Sequence, residues 1–157
     1  MLRRSYLLGV VMFGLAACQQ PHQPGRHIVQ VRVRMQTTSD GKDGDTQVLD
    51  SITTKNQDQI ASLDCCSSGN HGGDVWNAGN DTTQTFNHLT PNIDRDALEG
   101  GTVSIGMRSN GRDTWTFIPT IIVIYDRGNP DTWSFGKMTL SADNNSTSRT
   151  FAIPPLK

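Results

Sequence analysis

The stretch that decides the fold is Arg112–Leu140, RDTWTFIPTIIVIYDRGNPDTWSFGKMTL. At its centre Thr120-Ile121-Ile122-Val123-Ile124-Tyr125 is an unbroken run of β-branched and aromatic residues. A run this short, without polar alternation, fits a strand covered on both faces, or on one face and an edge. The tetrapeptide Asp-Thr-Trp-(Thr or Ser), followed by Phe, stands on either side of it, as Asp113–Phe117 and as Asp131–Phe135. Residues two apart share a face of a strand, so Trp115 with Phe117, and Trp133 with Phe135, are each expected to offer a pair to one side. The stretch reads as the hydrophobic centre of a β-sandwich.

Outward from this centre, Ile28–Met35 alternates, with Val29, Val31, Val33 and Met35 expected on a buried face and Gln30, Arg32 and Arg34 on a wet one. Thr46–Thr53 and Gln59–Leu63 are weaker strand candidates, and Ser39–Asp45 between the first two carries Asp-Gly and Gly-Asp pairs that favour a tight turn. Thr85–Leu89 reads as a strand, and Asn92–Glu99 as one helical turn stopped by Gly100-Gly101. Thr102–Arg108 alternates with Val103, Ile105 and Met107 inward, and Thr150–Ile153 is a last strand ended by Pro154-Pro155. The expectation is an all-β antiparallel sandwich of about eight strands, interrupted by one long polar loop, Cys65–Thr83.

The first eighteen residues speak of location. Met1-Leu2-Arg3-Arg4 is a short basic segment, Tyr6–Phe13 is apolar and uncharged, and Leu15-Ala16-Ala17-Cys18 closes the stretch. The apolar run is too short for a membrane-spanning helix and fits a cleaved export signal. Leu-Ala-Ala-Cys resembles the bacterial lipobox, and the resemblance implies diacylglycerol (palmitate-type) acylation of Cys18, cleavage before it, and membrane attachment. Gln19 stands where the inner-membrane retention signal has Asp, so the resemblance implies an outer-membrane lipoprotein, periplasmic or surface-facing. Residues 1–17 are then a signal peptide, 18–27 a Pro- and Gly-containing tether, and 28–157 the sandwich domain.

Removing residues 1–17 from the 157 leaves 140, enough for one domain with a real core. Two of the 14 Lys and Arg residues go with the signal and all 15 Asp and Glu stay, a charge near −3. That balance gives no electrostatic reason to expect nucleic acid as a partner. Low apolar content with abundant Thr, Ser, Asn, Asp and Gly suits short strands and polar turns, and helical spacing of apolar residues is almost absent.

Strand order and turn content resemble the PLAT/LH2 domain, a β-sandwich related in shape to C2 domains. The resemblance lies in Val31–Thr46, where a strand runs into an Asp/Gly/Lys turn, in Thr85-Phe86 with Leu98, in Val103-Ser104-Ile105, and in Asp113–Asp126. It implies contact with lipids or protein partners and, in some members, calcium. The Cys65–Thr83 insertion and the Trp133 copy depart from that pattern.

Four constellations could carry chemistry. Asp40, Asp43 and Asp45, if joined in space by Asp113 or Asp126, would supply hard oxygen ligands for calcium, but their spacing is not that of an EF-hand and a solvated turn is the preferred reading. Apart from calcium no cofactor is expected. Cys65-Cys66 remain after acylation of Cys18 and are expected oxidised, with each other or between chains; a metal site with His71 lacks the usual two-residue gap. Trp76 with His71 and Asp74 would form a partner-binding loop, or the indole folds back onto the sandwich. His88 near Asp94 or Asp96 would be a dyad, or an ordinary strand histidine; no hydrolase motif accompanies it.

The functional expectation is a non-catalytic binding module, not an enzyme, engaging a protein or envelope component through sandwich-end loops. The alternatives are an accessory lipoprotein docking a larger envelope complex and a small hydrolase.

Overall fold

A computed structural model describes residues 25–42, 46–65, 76–109 and 111–156. The apolar run lies in β7 (Thr114–Tyr125), which pairs antiparallel with β1 (Ile28–Thr37) along one side and with β9 (Met138–Ser141) and β8 (Asp131–Ser134) in succession along the other. β4 (Asp81–Thr85) completes this sheet beyond β1. The second sheet orders β10 (Ser148–Ala152), β6 (Thr102–Arg108), β2 (Gln47–Thr53), β3 (Gln59–Cys65) and β5 (His88–Leu89), all antiparallel. The protein is an all-β sandwich of two antiparallel sheets.

Burial follows side-chain alternation. Trp115, Phe117, Ile121 and Val123 of β7 are all at 0 % exposure and stand beside Val31, Val33 and Met35 of the neighbouring β1, in one continuous core with Val48, Ile52, Val103 and Ile105 of the second sheet. The other face of β7 is only half-buried: Ile118, Ile122 and Ile124 stand in register with Gln36, Arg32 and Gln30, long side chains of the kind whose stems cover apolar surface. Pro119 is tolerated mid-strand because its carbonyl, which accepts from Phe135 N–H at 3.2 Å, faces the gap between β9 and β8, where a missing donor breaks no ladder.

Three expectations are corrected. Val29 is 53 % exposed, and Ile28 takes the inward place, because a bulge between Ile28 and Gln30 shifts the alternation at the start of β1. The strand placed at Thr85–Leu89 is instead β4, ending at Thr85, and the two-residue β5, so the polar loop is shorter than expected by Asp81–Thr83. The second Trp-Phe pair also splits. Trp133 is buried, but the chain leaves β7 after Ser134, and Phe135 stacks on Phe151 of β10 at 4.6 Å, joining the edges of the two sheets. The first pair holds, Trp115 on Phe117 at 3.9 Å.

The expected helical turn is a single 3-10 turn, Arg95–Leu98, that plugs Leu98 into the core at 0 % exposure. Gly101 after it must be glycine: a Cβ there would stand 2.2 Å from the Thr53 carbonyl oxygen. The exposed side of β3 is also closed. β5 pairs with Ala61 and Ser62, Thr90 N–H bonds Ile60 O, and the Asn87 amide both donates to Asp64 O and accepts from Asp64 N–H, imitating a strand neighbour.

Candidate functional site

Strand direction sorts the connections into two ends. β1 enters the sandwich at residue 28, at an end shared with 54–58, 90–100 and 126–130, and it leaves at an opposite end shared with 38–42, 76–80, 109, 111–113 and 142–147. The second group is called the distal end here, and the first the root.

At the distal end, the Trp115 indole donates to Thr37 Oγ1 at 3.1 Å and meets Trp76 edge-on, with centroids 5.1 Å apart. Trp76 is 1 % exposed, so it is a core residue and not a partner contact: the alternative in which the indole folds back onto the sandwich is the one the chain adopts. Gly41 lies against the backbone of Trp76 and Asn77, and Lys42 N–H donates to Trp76 O at 3.3 Å. Lys42 is itself buried, its ammonium donating to Thr46 O, while Thr46 Oγ1 donates to the buried Asp113 carboxylate. Asp40 is exposed; its carboxylate accepts from Ser39 at 3.2 Å and Thr116 at 3.3 Å, and its carbonyl accepts Thr116 N–H.

Of the residues expected to join Asp40, Asp113 lies at the same end but is turned onto Thr46, and Asp126 lies at the root, a full strand away. Asp43 and Asp45 are outside the described residues, as are Cys18, Cys66, His71 and Asp74. Cys65, at the distal end of β3, is disulfide-bonded. With Cys18 assigned to acylation, Cys66 is the partner the sequence offers within the chain. Among the described residues no group of three or more His, Cys, Asp and Glu side chains is placed to hold a metal ion.

The root holds a network that sequence reasoning missed. His27, placed in the tether by sequence, bridges Asp94 and exchanges two bonds with Asp126: His27 N–H to the carboxylate at 3.0 Å, and Asp126 N–H to His27 O at 2.9 Å. The His27 ring, not that of His88, lies 3.0 Å from the Asp94 carboxylate; His88 is an exposed residue of β5. Arg26 lies over the Tyr125 ring at 4.3 Å and donates to Arg127 O, while Arg127 donates back to Gly25 O. Tyr125 donates its hydroxyl to Asp131 Oδ2 at 2.6 Å, and burial first, then this bond, pushes the phenol up. Burial pulls the Asp131 carboxyl upward, but the bonds from Arg95 and Tyr125 outweigh it and hold the group below the usual carboxylate range. The available signal was the repeat: Asp113 and Asp131 open the two copies, and each ties a distant segment to the sheet.

No family model matches the chain, and no curated protein matches it. Among solved structures, Alpha Toxin from Clostridium Absonum is similar over 80 % of this chain and 34 % of that one, at 14 % identity and a TM-score of 0.47. The chain thus spans about a third of that protein's length, and a likeness of this depth carries no functional argument.

Proposed function

We propose that the mature chain is a lipoprotein of the outer membrane, held by acyl chains on Cys18, and that its distal loops form a non-catalytic binding module for a protein or another envelope component. The observation that supports this reading is the opposition of the two ends. Cys18 precedes in sequence the root, where Gly25, Arg26 and His27 are tied to Asp94, Arg95, Asp126 and Arg127. Six residues separate Cys18 from Gly25, so seven chain steps give a reach of roughly 25 Å at full extension. The ten residues of β1 then carry the distal loops about 30 Å further along the strand direction. A short tether on a fixed root suits a domain that presents its far end away from a bilayer, and several buried acyl chains give a stable anchor. No nucleic-acid partner enters this reading.

Two measurements test it. Cys18→Ser is expected to abolish acylation and release the chain from membranes; a variant that still sediments with them after a high-salt wash refutes the anchor. Photo-crosslinkers at Asn77 or Gly111 of the distal end, and at Asn56 or Gly128 of the root, are expected to capture an envelope component from the distal positions only. Capture from the root alone refutes the distal site. A stoichiometric complex would assign the accessory, docking form of the function.

A further inference from the structure

The core carries a carboxylic acid that neither end uses. Asp50 lies in the middle of β2, the central strand of the second sheet, and points between the sheets at 2 % exposure. Its strand neighbours on that face are Val48 and Ile52, and Leu63 of β3 and Ile105 of β6 stand opposite it in register. Oδ1 accepts one long bond, from Gly106 N–H at 3.3 Å, and Oδ2 has no hydrogen-bond partner. Across the interface stand the apolar residues of β1 and β7, among them Val31, Val33, Met35, Phe117 and Ile121. The other buried charged residues among those described, Lys42 and Asp113, belong to the distal loops. Among the described residues no cation in the sheet interface compensates an anion, the Gly106 N–H is its single donor, and an isolated buried carboxylate is one of the costliest groups a core can hold.

We infer that Asp50 is a proton-operated latch on the sandwich: the sheets pack tightly while its carboxyl is neutral, and they loosen when it ionises. Burial, opposed only by the Gly106 bond, pushes the group up to about 8. The sign follows directly. Between the ordinary carboxyl range and about pH 8 the folded chain keeps a proton that the unfolded chain has lost, so stability falls as pH rises. Above that range Asp50 is charged in both states and its full cost is expressed. β2 begins beside Thr46, which Asp113 holds at the distal end, so loosening of the β2–β6 ladder reaches the loops of the proposed binding end. Only that last consequence rests on the functional reading above; the latch itself does not.

Denaturant unfolding of the whole protein from pH 5 to 9.5 tests the latch, with Asp50→Asn and Asp50→Leu as variants. The unfolding constant of the unsubstituted protein, relative to either variant, is expected to rise by up to tenfold per pH unit and to level off above about pH 8. Parallel curves for all three proteins overturn the proposal. If neither variant folds, carbon-13 NMR of the labelled Asp carboxyls decides: the Asp50 resonance is expected to stay in its neutral position at pH 6, and titration near pH 4 overturns the latch. A null crosslinking result would leave these readings untouched.

Discussion

Arg95 donates Nε and Nη2 to the two carboxylate oxygens of Asp131, at 2.8 Å and 3.1 Å, in a parallel fork between the 3-10 turn and the first residue of β8. Both side chains are mostly shielded, at 14 % and 20 % exposure, so the pair works in less water than a surface bridge. Asp131 also takes the Tyr125 hydroxyl, which fixes the end of β7 to the same carboxylate.

Removing the fork charge should be felt on the acid side. The Asp131 carboxyl is held below its ordinary range, so the stability it contributes is present above the unfolded carboxyl range and is lost as pH falls through its lower folded value. Asp131→Asn is expected to cost about 2–3 kcal/mol at neutral pH and to flatten the stability loss below about pH 4. Urea unfolding at pH 7 and pH 3 reads both numbers; equal losses at the two pH values would show that the charge contributes nothing.

Trp76 should behave as core. Trp76→Ala is expected to destabilise by about 3–5 kcal/mol, through the lost burial and the cavity left beside Trp115. The near-ultraviolet circular dichroism of the indole pair should collapse with it. A melting temperature unchanged within error would return this residue to the surface.

Gly101→Ala sets a methyl against the carbonyl oxygens of Thr53 and Leu98, which belong to the backbone and have little room to retreat. The expected loss is roughly 1–3 kcal/mol. Gly111→Ala, where an added Cβ meets nothing within 4 Å, is the matched control and should change stability by less than about 0.5 kcal/mol. Equal effects at the two positions would contradict the close approach.

Calcium is expected to leave the melting curve where chelator and magnesium leave it. The Asp40 carboxylate is already engaged by two hydroxyls, and the Lys42 ammonium places a positive charge inside the same turn. A concentration-dependent stabilisation, about 2.7 kcal/mol at a hundredfold excess over Kd, that disappears in Asp43→Asn would instead establish a calcium site.

By itself the sequence determined the fold class, because alternation of apolar residues is a local property of each segment. Val31, Val33 and Met35, then Val103, Ile105 and Met107, went inward as their spacing required. So did Trp115 with Phe117, since strand geometry alone puts residues two apart on one side. Export and lipid attachment remain readings of residues 1–18, outside the described residues.

What tertiary structure decided was every question of which segment meets which. A one-residue bulge, invisible in the pattern, turned Val29 out. The departure of the chain from β7 after Ser134 sent Phe135 to Phe151 instead of to Trp133. Trp76 and the carboxylates of Asp113 and Asp126 could be assigned to core, to one end or to the other only once strand directions were known, since the residues concerned lie tens of positions apart. The root clamp and the buried Asp50 were illegible for the same reason. A polar residue in a strand reads as solvent-facing until its neighbours are in place, and burial, not residue type, sets what its charge costs.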